Sequence, residues 1–245
     1  EKPSDNLKAM RIRDLLTMSV GHERQPRVRD SDVDWTKQFL AHPVKKKPGT
    51  FFRYNTPASY MLGAIVKKTT GEDLADYLEP RLFKPLGIRK PKWLTSPQGL
   101  SIGGYGLYVR TEDIAKFGQL YLQNGKWKGK QLLPENWVKE ATSKQVDNSN
   151  GIISRNSDWL VGYGYQFWQC RHGVYRGDGK DGQFCIVMPQ YNTVVAMTAD
   201  NQDMQAQLNL VWEHILPALK DKQLPANKKA QRKLKRAVAK LKASK

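Results

Sequence analysis

Cysteine and histidine are scarce, with two of the first and four of the second in 245 residues. Cys170 and Cys185 are too few for a disulfide framework in a chain this long. Two inert buried thiols are the plainer reading, although their spacing in a strand-rich stretch does not forbid one bridge. The histidines, His22, His42, His172 and His214, are scattered, and neither C-x-x-C nor H-E-x-x-H occurs, so the pattern offers no metal site and no cofactor is expected. A G-x-S-x-G nucleophile elbow is also missing. No run approaches the roughly 18 uncharged apolar residues that a membrane helix needs, so no membrane span is expected. The opening Glu1-Lys2-Pro3-Ser4-Asp5 lacks the apolar centre of an export signal. A chain that opens on Glu rather than Met reads as a piece of something longer.

What is abundant is positive charge, +18 in all, which suggests a nucleic-acid footprint until its distribution is read. From Lys220 to Lys245 eleven Lys or Arg face the single Asp221, so +10 sits in the last 26 residues and +8 in the remaining 219. With 39% hydrophobic residues the chain can bury one core of ordinary size. Residues 1–219 are expected to form the folded domain and 220–245 a basic linker or tail helix. Within the tail Leu234, Val238 and Leu241 recur at i, i+4 and i+7 among Lys and Arg. Such a helix suits nucleic acid, acidic membranes or a partner groove, but after Pro217 and Pro225 a linker, or the start of a further region, is the plainer reading.

Along the body, Leu7, Met10, Ile12, Leu15 and Leu16 are apolar at mixed spacing up to Gly21, and Glu23–Lys47 reads as a long polar surface excursion. A strong helix follows, with Thr56 as N-cap, Pro57 at the first helical position, an apolar face at Tyr60, Met61, Ile65 and Val66, and Gly71 as its stop. Gly103-Gly104-Tyr105-Gly106 marks a close-packed turn. Thr111 opens another helix with Glu112 and Asp113 in its first turn, Ile114, Phe117, Leu120 and Tyr121 on one face, and Gly125 beyond. Pro134 starts a shorter one. From Gly162 the period becomes strand-like, over Tyr163–Trp168, His172–Tyr175, Gln183–Met188 and Thr193–Thr198, an antiparallel meander. A helix from Asn201, with Met204, Leu208, Val211 and Ile215 on one face, is spaced to pack across it. Helices first and an antiparallel sheet last make an α+β domain.

Met10-Arg11-Ile12-Arg13-Asp14-Leu15-Leu16-Thr17-Met18-Ser19 resembles the T-I-R-x-L-L-T-H-T-S stretch of serine hydrolases of the class C β-lactamase and penicillin-binding-protein type. Pro48-Gly49-Thr50-Phe51-Phe52-Arg53-Tyr54-Asn55 resembles their P-G-x-x-F-x-Y-S-N. Gly103–Leu107 with Arg110–Gly118 is similar to their G-G-L-x-S-T-x-D-x-A-R-F-G. The likeness runs from about Met10 to Leu219 in ordered blocks. It implies an antiparallel sheet flanked by helices, and a bacterial protein of the periplasm or exterior. Its implied chemistry is hydrolysis of a small-molecule amide or ester through an acyl-enzyme.

In that family the serine of S-x-x-K attacks, and a lysine and a tyrosine share its proton, because a serine hydroxyl is a weak nucleophile without an adjacent base. Tyr54 matches the tyrosine. A phenol titrating near 10 serves as base only where nearby cations favour the phenolate. Where many members have Asn this chain has Thr56, preceded by Asn55, so the substrate contact implied there falls on either residue, and Thr56 equally suits the helix cap. The K-T-G strand has two registers. In one, Gly177-Asp178-Gly179 occupies it and the Lys180 N–H is an oxyanion donor. In the other, Lys180-Asp181-Gly182 occupies it and the Lys180 ammonium faces substrate. Glycine suits either, since backbone must approach the substrate closely, and an ordinary Gly-rich turn gives the same pattern.

No serine in the sequence is followed three positions later by lysine. The domain is therefore expected to lack its nucleophile helix at the N-terminal side and to be inactive alone. It would then expose an apolar face that a homo-oligomeric partner or swapped segment covers. Two other readings stay open: a non-catalytic ligand- or partner-binding module, and a nucleic-acid-binding protein, against which the acidic residues spread through the body count.

Overall fold

The computed structural model describes residues 2–28, 33–220, 222 and 224–241. The chain divides into two compact units, Glu1–Asn209 and Leu210–Lys245. In the first, helices precede an antiparallel sheet, the order of an α+β domain.

The longest helix, Thr56–Thr70, carries Pro57 in its first turn, where a missing N–H costs nothing, and stops at Gly71, whose φ of 78° resists side chains. Ala58, Tyr60 and Met61 join Leu15, Met18, Trp35, Phe39 and Phe52 in a buried cluster. Thr56 is the first helical residue and not the N-cap; Asn55 holds the cap position but makes no capping bond, because its amide is spent on His22. Part of Glu23–Lys47, expected as a surface excursion, is helical. It contains the helix Trp35–Ala41, capped by Asp34, with Trp35 and Phe39 buried one turn apart.

The helix Thr111–Leu122 opens as its sequence predicts, with Asp113 accepting from the Arg110 N–H at 3.3 Å. It covers one face of a four-stranded sheet, β1 (Trp168–Cys170), β2 (Val174–Gly179), β3 (Gln183–Met188) and β4 (Thr193–Met197), in the order β1-β2-β3-β4, every pair antiparallel. Two strand expectations shift. Tyr163 makes only isolated bridges, so β1 starts at Trp168, and His172 sits in a turn at φ 64°. Register pairs Arg176 with Trp168 and Ile186, and Asp178 with Phe184, which puts all of these on one face. Tyr175, Cys185, Val187 and Val194 face Ile114, Phe117 and Tyr121 on the other. Helix and sheet approach so closely that a Cβ at Gly118 would lie 2.6 Å from Val194 and 2.8 Å from the Cys185 sulfur.

The cysteines are unbridged and lie on opposite faces of the sheet. The Cys170 sulfur accepts from Arg176 Nη1 at 3.1 Å, while Cys185 donates to the Ile114 carbonyl at 3.4 Å. Burial pushes the Cys170 thiol up to about 11 and the Cys185 thiol up to about 12, so both stay protonated and unreactive. The helix expected from Asn201 begins at Met204 and runs to Leu210, giving way to a π turn over Val211–Ile215. Leu208 and Val211 are buried but Ile215 is 42% exposed, so the expected four-residue apolar face ends one turn early.

In the second unit, the helix Lys228–Lys240 starts where the Asn227 side chain accepts from the Ala230 N–H at 2.9 Å, and none of its residues is buried. A chain truncated after Ala226 should therefore melt within about one or two degrees of the full chain by calorimetry, because none of the helix's residues is buried. A larger drop would mean that the helix docks in solution.

Candidate active-site groove

An open groove of about 1140 Å³ runs beside the sheet. Its lining includes the apolar side chains of Leu78, Leu82, Phe83, Ile88 and Phe117 together with Tyr54, Trp168, Asp178, Gly179 and Lys180. Among the described residues no serine, histidine or cysteine lines it, and no cluster that would hold a metal occurs.

Tyr54 is placed by the loop before the Thr56–Thr70 helix, where the Arg53 N–H donates to the Met18 carbonyl at 2.9 Å. Its ring lies over Trp168 with centroids 5.6 Å apart and planes at 24°, and 41% of the residue is exposed. Burial, and after it the Asp178 carboxylate, push the Tyr54 phenol above its ordinary value. Both effects favour the protonated phenol.

The negative neighbour is itself held in place. Arg176 is fully buried beneath the wall, its guanidinium 4.4 Å from the Trp159 ring centre and 5.5 Å from that of Trp168. Its Nε donates to Asp178 Oδ2 at 2.9 Å, its Nη2 lies 2.8 Å from the same oxygen, and Nη1 donates to the Asp158 carbonyl at 2.8 Å. Burial raises the Asp178 carboxyl, and the Arg176 guanidinium opposes that rise. The pair brings a carboxylate to the groove with its countercharge behind it.

The remaining expected residues divide. Thr56, Gly179 and Lys180 join Tyr54 and Asp178 on the groove, whereas Gly177 and Gly182 are not part of its lining. The Lys180 side chain is 89% exposed, with its ammonium 3.2 Å from Asp181. What reaches the wall is the hairpin tip itself. Gly182 serves the turn: it adopts φ 92°, a Cβ there would collide with Gln207, and its carbonyl accepts from Gln207 Nε2 at 3.1 Å. Asn55 is not part of the lining either. It is wholly buried, donating from Nδ2 to His22 Nδ1 at 3.1 Å and from its backbone N–H to the Met18 sulfur. Sequence reasoning missed Trp159, Trp168 and Arg176. The one signal was the Arg176-x-Asp178 spacing, which in a strand puts opposite charges on one face.

These features are those of a known fold. The Beta-lactamase family model matches residues 1–219. The chain belongs to the β-lactamase family, in its serine β-lactamase and penicillin-binding-protein-like branch. An uncharacterized protein of Alkalihalophilus pseudofirmus is 28% identical over 62% of this chain and 53% of its own length. The N-acetylmuramyl-L-alanine amidase of Bacillus subtilis is 20% identical over 82% of this chain and 59% of its length. Among solved structures, an octameric penicillin-binding protein homologue from Pyrococcus abyssi superposes with a TM-score of 0.63 at 16% identity, covering 92% of this chain and 62% of that one. The chain thus spans between about half and two thirds of the length of these relatives. In the described residues no helix is long and apolar enough to cross a membrane.

Proposed function

We propose that the protein is a serine hydrolase that acts on a small-molecule amide or ester through an acyl-enzyme, with a serine and lysine contributed by chain outside this sequence. One observation supports the reading: Tyr54, Gly179 and Lys180, for which the family resemblance implies a part in the reaction, line one groove together with apolar side chains. Tyr54 is then the proton-transfer residue and the hairpin tip the oxyanion side. A lysine ammonium beside Tyr54 would offset the burial and the Asp178 charge that favour the protonated phenol.

The test is stoichiometric acylation by a β-lactam or activated ester, followed by mass spectrometry. The chain as given is expected to take up no acyl group, since removing the nucleophile from such a unit leaves only weak residual catalysis. With an S-x-x-K segment joined, acylation should appear, and Tyr54→Phe should then slow it by roughly 10²-fold or more. Acylation of the chain alone would show that the nucleophile lies elsewhere.

A second reading is a non-catalytic module in which the groove, with its many apolar and aromatic lining residues, only binds its ligand. That reading predicts saturable binding of the same compounds with no acylation in the joined protein.

A further inference from the structure

The helix Lys228–Lys240 combines two properties that neither a linker nor the hydrolase site requires. After Asp221 the chain has no acidic residue, while the helix carries Lys228, Lys229, Arg232, Lys233, Lys235, Arg236 and Lys240. At about 100° per residue, Ala230, Leu234, Ala237 and Val238, continued by Leu241, occupy a sector about 100–120° wide, and every Lys and Arg of the helix falls outside it. Leu234, Val238 and Leu241 are 66%, 55% and 77% exposed, so the stripe faces solvent.

We propose that this helix lies in the headgroup layer of an anionic phospholipid bilayer, with Leu234 and Val238 toward the acyl chains and the Lys and Arg side chains on lipid phosphates. Charge complementarity selects the occupant. Pairing with a second copy through the stripe would set Lys233, Lys235 and Lys240 at its borders against the same cations of the partner, where like charges repel. Nucleic acid would match the charge but has no use for a continuous apolar sector, because its backbone is recognised through phosphates. An anionic bilayer matches both halves of the helix: surface potential attracts the basic arc, and the acyl boundary takes the stripe. The inference is independent of the hydrolase reading.

The full chain is tested by sedimentation with vesicles of mixed phosphatidylglycerol and phosphatidylcholine, and of phosphatidylcholine alone. Binding should be roughly tenfold or more tighter with phosphatidylglycerol, and should weaken at high salt. The double variant Leu234→Gln/Val238→Gln keeps the charge and touches no buried residue, so its fold should match the parent by circular dichroism. It should lose vesicle binding by roughly tenfold while keeping the parent's weak affinity for a DNA duplex. Absence of vesicle binding overturns the proposal. So does equal binding to neutral vesicles, or a double variant that binds the anionic vesicles as tightly as the parent, which would reduce the contact to charge alone. Duplex affinity above vesicle affinity would assign the helix to nucleic acid. Lipid-free dimers that the double variant abolishes would assign the stripe to a second copy.

Discussion

Asp178→Asn is expected to lower the melting temperature by on the order of 10 °C. Arg176 has no exposed surface, and its guanidinium meets the compensating charge of Asp178, at 2.9 Å and 2.8 Å to the same oxygen. Removing one partner of a buried pair leaves the other charge stranded in a poor dielectric. That costs about 3–5 kcal/mol, and in a protein of this size each kilocalorie shifts the midpoint by about 2–4 °C. The aromatic rings of Trp159 and Trp168 over the guanidinium soften the loss without cancelling it. The double variant Arg176→Met/Asp178→Asn should recover most of the stability, because it strands neither charge. Calorimetry on the two variants settles the matter: a midpoint within two degrees of the parent for Asp178→Asn alone would mean that solvent, not Asp178, balances the arginine. The same substitution should lower the Tyr54 phenol, since it removes the carboxylate that helps hold its proton on.

Legibility in the sequence followed how local the determining physics is. The Thr56–Thr70 and Thr111–Leu122 helices were readable because their apolar residues recur at helical spacing and Gly71 and Gly125 mark the stops. Strand β3 was readable end to end, as a run of apolar residues between Gly182 and Pro189. The helix Trp35–Ala41 was not. Seven residues show too little period to stand out among charged neighbours, and its order comes from Trp35 and Phe39 docking into the distant cluster around Tyr60.

The site divides in the same way. Motif resemblance found Tyr54 and the hairpin tip, because both are fixed by short continuous stretches. Asn55 looked like a ligand contact beside Tyr54 in sequence. The chain enters the helix there, and the next side chain inward meets a histidine 33 positions earlier, a pairing that no local pattern announces. The side-chain position of Lys180 was not legible either. It lies in a three-residue hairpin loop, where its side chain is largely exposed and its ammonium is 3.2 Å from Asp181, a placement that the loop sequence alone does not set. Arg176 was invisible as a site residue because a charge in a strand ordinarily reads as solvent-facing, and only the paired register of β1 to β3 shows that this face is buried.

The Asn55–His22 pair carries the second large expectation, a loss of stability in mild acid that is separate from ordinary carboxylate titration. His22 has no exposed surface and meets Phe39 and His42 edge-on at 4.9 Å and 4.8 Å. Burial, and then the neighbouring His42, lower its pKa from 6.5 to about 4. With Nδ1 accepting from Asn55, the imidazole is neutral with its proton on Nε2, which has no partner among the described residues. Above pH 6.5 neither folded nor unfolded chain protonates this residue, so His22 leaves stability flat. Below 6.5 the unfolded chain binds a proton that the folded chain refuses, and stability falls until the folded pKa near 4 is reached. The gap between the two values corresponds to a loss of about 3 kcal/mol across that window. His22→Gln keeps an acceptor for the Asn55 amide and cannot titrate. Its urea midpoint should therefore fall less than the parent's between pH 7 and 4, whatever its absolute stability. The comparison of slopes cancels the carboxylates that both proteins share. Parallel pH profiles would mean that the folded protein accommodates the imidazolium, with Asn55 or water taking its proton, and that the buried pair is not the acid-sensitive element of the core.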